Sequence, residues 1–374
     1  MNHRMNLDET YMREALDLAR LGMGRTLPNP MVGAVLVKNN QIIGRGFHQK
    51  FGLAHAEVNA ILDAEKNGHD VAGADLYCTL EPCSHTNKKT PPCAQMITTK
   101  NIHRMVVATF DQNPAVSGNG VNILERAGIK VTVGVLEDEA LALNQIFFHH
   151  IKHKFPFIAC KWAQSLDGFI ALKNYQSKYL TSEEARSDVH LDRQLFQNIL
   201  IGGETLRKDD PKLDCRLYNY EYTPNRFVLV SLSKLSHVNY QIFQDVHRER
   251  TFVLTDKSQV PEHLLMKEQL IALGVNVLEY DFKNISLRQM FQDLYTKNFV
   301  SFYVEAGQNL KASLMKEDLI DECIIYLAPK ILGAGISPSA ELGFTHVDQA
   351  KEMTLSNIMQ IGNEVKLNYS RRLS

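Results

Sequence analysis

Between positions 55 and 93 the chain places one histidine and two cysteines that few folds can bring together. His55-Ala56-Glu57 opens a helical stretch read over 54–67, which stops at Gly68. Cys83 follows Pro82, Cys93 follows Pro92, and a strand signal at 74–79 separates His55 from Cys83. A fold that uses all three must carry a helix start and two later segments to one point. One imidazole and two thiolates suit zinc, and three protein ligands leave a fourth position for water. Glu57, two residues from His55, is placed to move a proton without binding the metal. That donor set with a free carboxylate is the one used for hydrolytic deamination of a base. Cys83 and Cys93 both read as loop-to-helix junctions, where the helix dipole favours thiolate. His-x-Glu alone or Pro-Cys alone would carry little weight; their order around a strand carries the reading.

The rest of the sequence narrows the class. The 374 residues are enough for two or three domains. A formal net charge of -1 lacks the basic excess that phosphate binding needs, so no nucleic-acid partner is expected. No run of 18 apolar residues occurs, so no membrane span is expected. The polar start MNHRMNLDET lacks the apolar core of an export signal, which predicts a cytoplasmic protein with reduced thiols. Cys78, Cys160, Cys215 and Cys323 lie among apolar neighbours and read as core.

Helix and strand signals alternate along the whole chain, giving an α/β protein. The N-terminal series has a helix at 11–21, strands at 31–37 and 42–47, the helix at 54–67 and the strand at 74–79. A short helix at 93–100, a strand at 104–108, a helix at 118–127, a strand at 130–135 and a helix at 138–148 follow. The basic segment 149–156, with His149, His150, His153 and Pro156, reads as a solvated helix end or linker. Two domains result, 1–150 and 155–374. The second begins with a strand at 157–163 and a helix opened by Thr181-Ser182-Glu183-Glu184, which resembles a capping box. Strands at 198–201, 226–230, 251–255, 275–278, 299–305, 322–327 and 365–369 and helices at 261–272 and 310–316 complete it.

The motifs also carry a family resemblance. Pro28-Asn29-Pro30-Met31-Val32-Gly33, His55-Ala56-Glu57-Val58, Thr79-Leu80-Glu81-Pro82-Cys83-Ser84-His85 and Thr90-Pro91-Pro92-Cys93 resemble the bifunctional riboflavin-biosynthesis deaminase/reductases. Asp111-Gln112-Asn113-Pro114 and Val116-Ser117-Gly118-Asn119-Gly120 match the same pattern. The Cys83–Cys93 interval is one residue longer than usual in the family, and Asn87-Lys88-Lys89 stands where a Gly-Arg pair is common. A lysine there supplies charge without the bidentate geometry of arginine. The resemblance implies a cytidine-deaminase-like three-layer domain over 1–150. It assigns zinc to His55, Cys83 and Cys93, catalysis to Glu57 and a pyrimidine contact to Asn29. His48 and His85 take supporting or substrate-contact roles.

The second half resembles the family's dihydrofolate-reductase-like domain through 161–168, 202–211, 304–307 and 328–333. No Gly-x-Gly-x-x-Gly follows a strand, so a nicotinamide cofactor would bind elsewhere. Glu305-Ala306-Gly307, between a strand and a helix, offers backbone N–H groups to a pyrophosphate. The resemblance implies an NADPH site at Ala163, Tyr179, Thr205, Asp209, Ser231, Gly307, Gln308, Asn309 and Leu310. It implies substrate contacts at Ser177, Arg193, Leu213, Arg216 and Glu305, the arginines suiting a phosphate. Tyr179 stands where Trp is common, and Val230 where Asp is common. Lys161 is a further candidate for this pocket. The resemblance implies deamination of a diamino-hydroxy-phosphoribosylamino-pyrimidine and NADPH-dependent reduction of its ribosyl group to ribityl. It also implies a small pyrimidine ribonucleotide as partner and a homo-oligomer. Two other readings remain: a deaminase with an inactive reductase-like domain, and a nucleic-acid-binding zinc protein.

Overall fold

The computed structural model describes residues 2–84, 92–113, 117–177, 180–216 and 223–371. The chain divides into two compact units, Met1–Lys154 and Phe155–Ser374.

The first unit contains α1 (Asn2–Arg20), β1 (Gly33–Lys38), β2 (Gln41–Phe47), α2 (Ala56–Lys66), β3 (Asp75–Cys78) and α3 (Cys93–Thr98). It continues with β4 (Arg104–Val107), α4 (Asn119–Arg126), β5 (Lys130–Val133), α5 (Glu137–Leu143) and α6 (Gln145–His153). The five strands order β2-β1-β3-β4-β5. The β1–β2 and β1–β3 pairs are antiparallel, and β3, β4 and β5 run parallel. Strand alternation splits the apolar residues between two layers. Ala34, Leu36, Leu76 and Met105 meet Ala60 and Ile61 of α2, Ile97 of α3 and Leu124 of α4. Val35, Val37, Tyr77 and Val106 meet Met12, Ala15 and Leu16 of α1 and Ala140 of α5. The result is a sheet between two helical layers.

Small residues let these layers approach. A Cβ on Gly33 would lie 1.9 Å from the Ala15 carbonyl oxygen, and one on Gly46 would lie 2.2 Å from the Ala60 nitrogen. One expectation is met in part at the end of the unit. The segment read as a solvated helix end or linker is the end of α6, which runs to His153 before Lys154 takes a left-handed conformation, but it is not solvated throughout. Ile146, Phe147, Phe148 and His150 are buried on that helix, and His150 Nε2 bonds the Pro28 carbonyl at 3.0 Å. Apolar contact outweighs the local basic character.

The second unit contains β6 (Phe157–Gln164), α7 (Glu183–Gln194), β7 (Asn198–Gly202), α8 (Gly203–Asp209), β8 (Asn225–Leu229), α9 (Gln241–Gln244) and β9 (Thr251–Asp256). It continues with α10 (Pro261–Ala272), β10 (Asn276–Tyr280), α11 (Leu287–Thr296), β11 (Ser301–Val304), α12 (Gln308–Lys316), β12 (Glu322–Leu327), β13 (Met353–Ile361) and β14 (Glu364–Arg371). Its nine strands order β10-β9-β8-β7-β11-β6-β12-β14-β13. All neighbours pair in parallel up to β12; β14 and β13 close the sheet antiparallel. One side of β6 and β12 presents Cys160, Trp162, Cys323 and Ile325 to a core with Met290, Phe291 and Leu314 of α11 and α12. The alternation sends Lys161, Ala163 and Tyr326 to the other side.

The expected capping box at Ser182 is a single cap. Ser182 Oγ accepts from Ala185 N–H, the third helical residue, which has no side chain to reciprocate. A complete box stands instead at Ser286 and Gln289, on a helix the periodicity did not suggest.

Candidate functional site

His55 precedes the first turn of α2 with an extended backbone, φ −74° and ψ 165°. That conformation turns its ring off the helix axis and puts Glu57 in the first turn, where it is 3% exposed. Cys93 is the first residue of α3. Cys83 lies in the loop after β3 and not at a helix start, so only one of the two cysteines has the expected junction. His55 Nδ1 is 3.5 Å from Cys83 Sγ and 3.3 Å from Cys93 Sγ, and the Cys93 N–H donates to Cys83 Sγ at 3.4 Å. The three ligand atoms lie within 4.8 Å of one another, the group of that kind among the described residues.

This donor set fits zinc. Tetrahedral bonds of about 2.3 Å to sulfur and 2.0–2.1 Å to nitrogen separate N from S by about 3.6 Å, close to the spacing here. The hydrogen bond from Cys93, and then His55, holds the Cys83 thiol well below its ordinary range despite burial. Burial pushes the Glu57 carboxyl up, against the pull of His55.

A cavity of about 210 Å³ opens over this group, lined by Asn29, His48, Glu57, Glu81, Asp111 and Asn113 among others. His48 is buried and is not part of the ligand group. Its Nδ1 lies 3.1 Å from the Ala54 carbonyl, and its Nε2 lies 3.3 Å from Asn29 Nδ2. A carbonyl only accepts, so Nδ1 carries the proton and Nε2 accepts from the Asn29 amide. His48 thereby orients Asn29 in the cavity.

Glu81 had no role in the sequence reading. It is buried, and its carboxylate accepts the N–H groups of Asp111, Gly118, Gly120 and Val121 at 2.8–3.2 Å. It ties the Asp111 loop and the start of α4 beside Cys83. A Cβ on Gly120 would lie 2.1 Å from the Pro82 carbonyl, so only glycine permits that approach. The only sequence signal was a carboxylate directly before Pro-Cys. His85, Thr90, Pro91 and the Asn87-Lys88-Lys89 segment lie outside the described residues.

In the second unit the parallel strands end on one edge, where loops form binding crevices. Ala163 is near the end of β6, Thr205 is on α8 after β7, Ser231 follows β8, and Gly307 caps α12 after β11. Gln308, Asn309 and Leu310 form the first turn of α12. Leu310 packs where a Cβ of Gly202 would be, at 3.8 Å, and Val230 lies against Gly203. The edge thus brings the β7, β8 and β11 ends together. Asp209 and Ser177 are exposed, and Tyr179 lies outside the described residues.

Arg193 is buried on α7 and donates from Nε and Nη2 to Glu305, at 2.6 and 3.1 Å, and from Nη1 to the Asp214 carbonyl at 2.8 Å. Its guanidinium is directed to Glu305, whereas Arg216 keeps a side chain 63% exposed beside Asp214. Leu213 is buried with φ 51° and precedes Asp214. Burial opposes charge on Glu305, but Arg193 and then Lys161 hold its pKa at about 2.

Comparison with known proteins follows the same division. Residues 5–109 match the cytidine and deoxycytidylate deaminase zinc-binding region, and residues 156–367 match the RibD C-terminal domain. The chain is 39% identical over 363 residues to riboflavin biosynthesis protein RibD of Bacillus amyloliquefaciens, covering 96% of this chain and 95% of that one. It is 38% identical to the Aquifex aeolicus protein of the same name, covering 98% and 99%. A crystal structure of a diaminohydroxyphosphoribosylaminopyrimidine deaminase/5-amino-6-(5-phosphoribosylamino)uracil reductase from Thermotoga maritima superposes with TM-score 0.86 at 34% identity, covering 99% and 100%.

Proposed function

The chain belongs to the RibD family of riboflavin biosynthesis, and from that membership we propose which residues carry each of its two reactions. It is a bifunctional enzyme, a zinc-dependent pyrimidine-nucleotide deaminase and an NADPH-dependent reductase. The first unit is a cytidine-deaminase-like domain, and the second is a reductase domain of the RibD type.

For deamination, His55, Cys83 and Cys93 hold zinc, which supplies the Lewis acidity that makes water nucleophilic near neutral pH. Glu57 takes a proton from the attacking water and gives it to the departing amine, which leaves as ammonia. Its burial raises its affinity for the proton taken from water, which favours the first of these transfers. Asn29, oriented by His48, contacts the pyrimidine. For reduction, Ala163, Thr205, Asp209, Ser231 and the first turn of α12 from Gly307 to Leu310 bind NADPH, with Tyr179. Ser177, Leu213, Arg216 and Glu305 contact the substrate, and Arg193 holds Glu305 in place.

The observation that carries the reading is the convergence of His55, Cys83 and Cys93 beside a buried Glu57. Ammonia release from the diaminopyrimidine phosphate, measured with zinc content for wild type and Glu57→Gln, tests it. We expect about one zinc per chain in both proteins and at least a ~100-fold loss of deamination in the variant. A fully active variant would remove Glu57 from the mechanism.

Two thiolate ligands need a reducing compartment, which supports a cytoplasmic enzyme. No helix among the described residues is long and apolar enough to cross a membrane. Leu355, Ile358 and Met359 stand 43–59% exposed on edge strand β13, which supports a homo-oligomer. Light scattering on the eluting protein checks that state.

A further inference from the structure

The reductase unit buries a second polar cluster that the assignments above leave idle. It lies on the Lys161 side of the sheet and spans α7, β11, β12 and β14. Lys366 Nζ is 2.8 Å from Asp188 and 2.5 Å from Asp192. The Tyr326 hydroxyl lies 2.7 Å from Asp188 and 2.8 Å from Asp192, and Tyr303 donates to Asp192 at 3.3 Å. Asp192, Lys366, Tyr303 and Tyr326 are all under 9% exposed. Buried ion pairs of this kind rarely add net stability, because desolvation offsets their attraction. Their presence asks for another role.

The charges supply one. Lys366 pairs with the carboxyls of Asp188 and Asp192, and burial pushes the Asp192 carboxyl up against the pull of Lys366. Lys161 lies near this group. Its Nζ lies 5.4 Å from the centroid of the Tyr326 ring, and that ring is anchored through its hydroxyl to both carboxylates. Glu305, the other carboxylate near Lys161, is already matched by Arg193.

We propose that Asp188, Asp192 and Lys366 form a positioning network for Lys161, holding its amine against the anchored Tyr326 ring and setting its charge in the reductase pocket. This rests on the reading of the second unit as the reductase. The groups acting on Lys161 are Glu305, Arg193 and Asp192, with Lys366, Tyr326 and Lys311 also near it. Burial pulls Lys161 below its ordinary range, Glu305 and Asp192 push it up, and Arg193 and Lys366 push it down. Removing the two network charges therefore has opposite effects.

The test uses the full-length enzyme as wild type, D192N and K366Q, each shown to be folded by circular dichroism. Competitive labelling with limiting acetic anhydride, read at the Lys161 peptide by mass spectrometry, gives the amine's pKa in each protein. The reductase kcat/KM is followed over the same pH range with NADPH and the deaminated substrate. D192N is expected to lower the Lys161 pKa and K366Q to raise it, each by at least about half a unit, the low end of a neighbouring charge. The alkaline limb of kcat/KM should move with it. Either variant alone decides the sign, so one that fails to fold does not end the test. An unmoved Lys161 pKa in a folded variant overturns the network. A moved pKa with an unmoved kcat/KM profile keeps the network and removes Lys161 from the reduction.

Discussion

Arg193 grips Glu305 through both carboxylate oxygens, at 2.6 and 3.1 Å, with both side chains largely out of water. Glutamine at position 193 would leave that carboxylate without its cation. Breaking one side of a buried pair costs about 3–5 kcal/mol, so urea unfolding of Arg193→Gln should show a loss of that size. The acid limb should change as well. Glu305 is held at about 2 against an ordinary 4.5. A depressed carboxyl adds stability above its unfolded pKa and loses it as pH falls toward the folded one. Wild type should therefore lose stability between about pH 4.5 and 2 through this group, and that component should shrink in the variant, where Lys161 alone of the two cations remains.

Metal removal should separate the two reactions. The proposed ligands all lie in the first unit, and the cofactor residues all lie in the second. Chelation should abolish ammonia release while NADPH oxidation on the deaminated substrate persists. Zinc added back should restore the first activity. In Cys93→Ser, bound zinc should fall well below one per chain by elemental analysis, because a hydroxyl is a poor replacement for thiolate. Loss of both activities on chelation would contradict the division.

Lys311 offers a test by pH. Its side chain is fully buried, and its Nζ has no hydrogen-bond partner among the described residues; the Trp162 ring lies 5.0 Å away. Burial pulls its pKa from 10.5 down to about 8. A lowered lysine binds fewer protons folded than unfolded between those values, so its cost is full below about pH 8 and fades toward 10.5. Lys311→Met should stabilise the enzyme by roughly 1–3 kcal/mol at pH 7. The gain should shrink as thermal melts are taken to pH 10.

Gly33 tests the close contact of α1 with β1. Its added Cβ would meet Ala15 backbone oxygen at 1.9 Å and Ala19 nitrogen at 2.7 Å. Backbone cannot step aside as a side chain can. Gly33→Ala should cost about 3 kcal/mol or more, the upper range for overpacking, measured by denaturant unfolding.

Much of this architecture is legible where a local signal and burial agree. α10 begins at Pro261 and ends at Ala272 as read, because proline suits a first helical position. The set His55, Glu57, Cys83 and Cys93 was readable because chemistry limits what such residues do in that order. β13 escaped because seven of its nine residues are exposed, leaving no alternation to read. α6 was cut short because three histidines and a lysine masked an apolar face. Glu81 was silent for another reason: its partners are backbone N–H groups 30 to 40 residues away, and backbone has no sequence signature. Arg193 illustrates the same limit. An arginine in the sequence carries its charge but not the identity of the carboxylate it meets.

β6 puts Lys161 and Ala163 on one side of its sheet and Cys160 and Trp162 on the other. The period of two makes the strand tolerant of substitution yet intolerant of length change. Losing a single residue ahead of Cys160 would turn the thiol and the indole toward the opposite face of the sheet and drive the lysine into the apolar core. Natural variation in this enzyme should therefore spare the spacing from Phe157 to Gln164, and let insertions gather in the loops that follow.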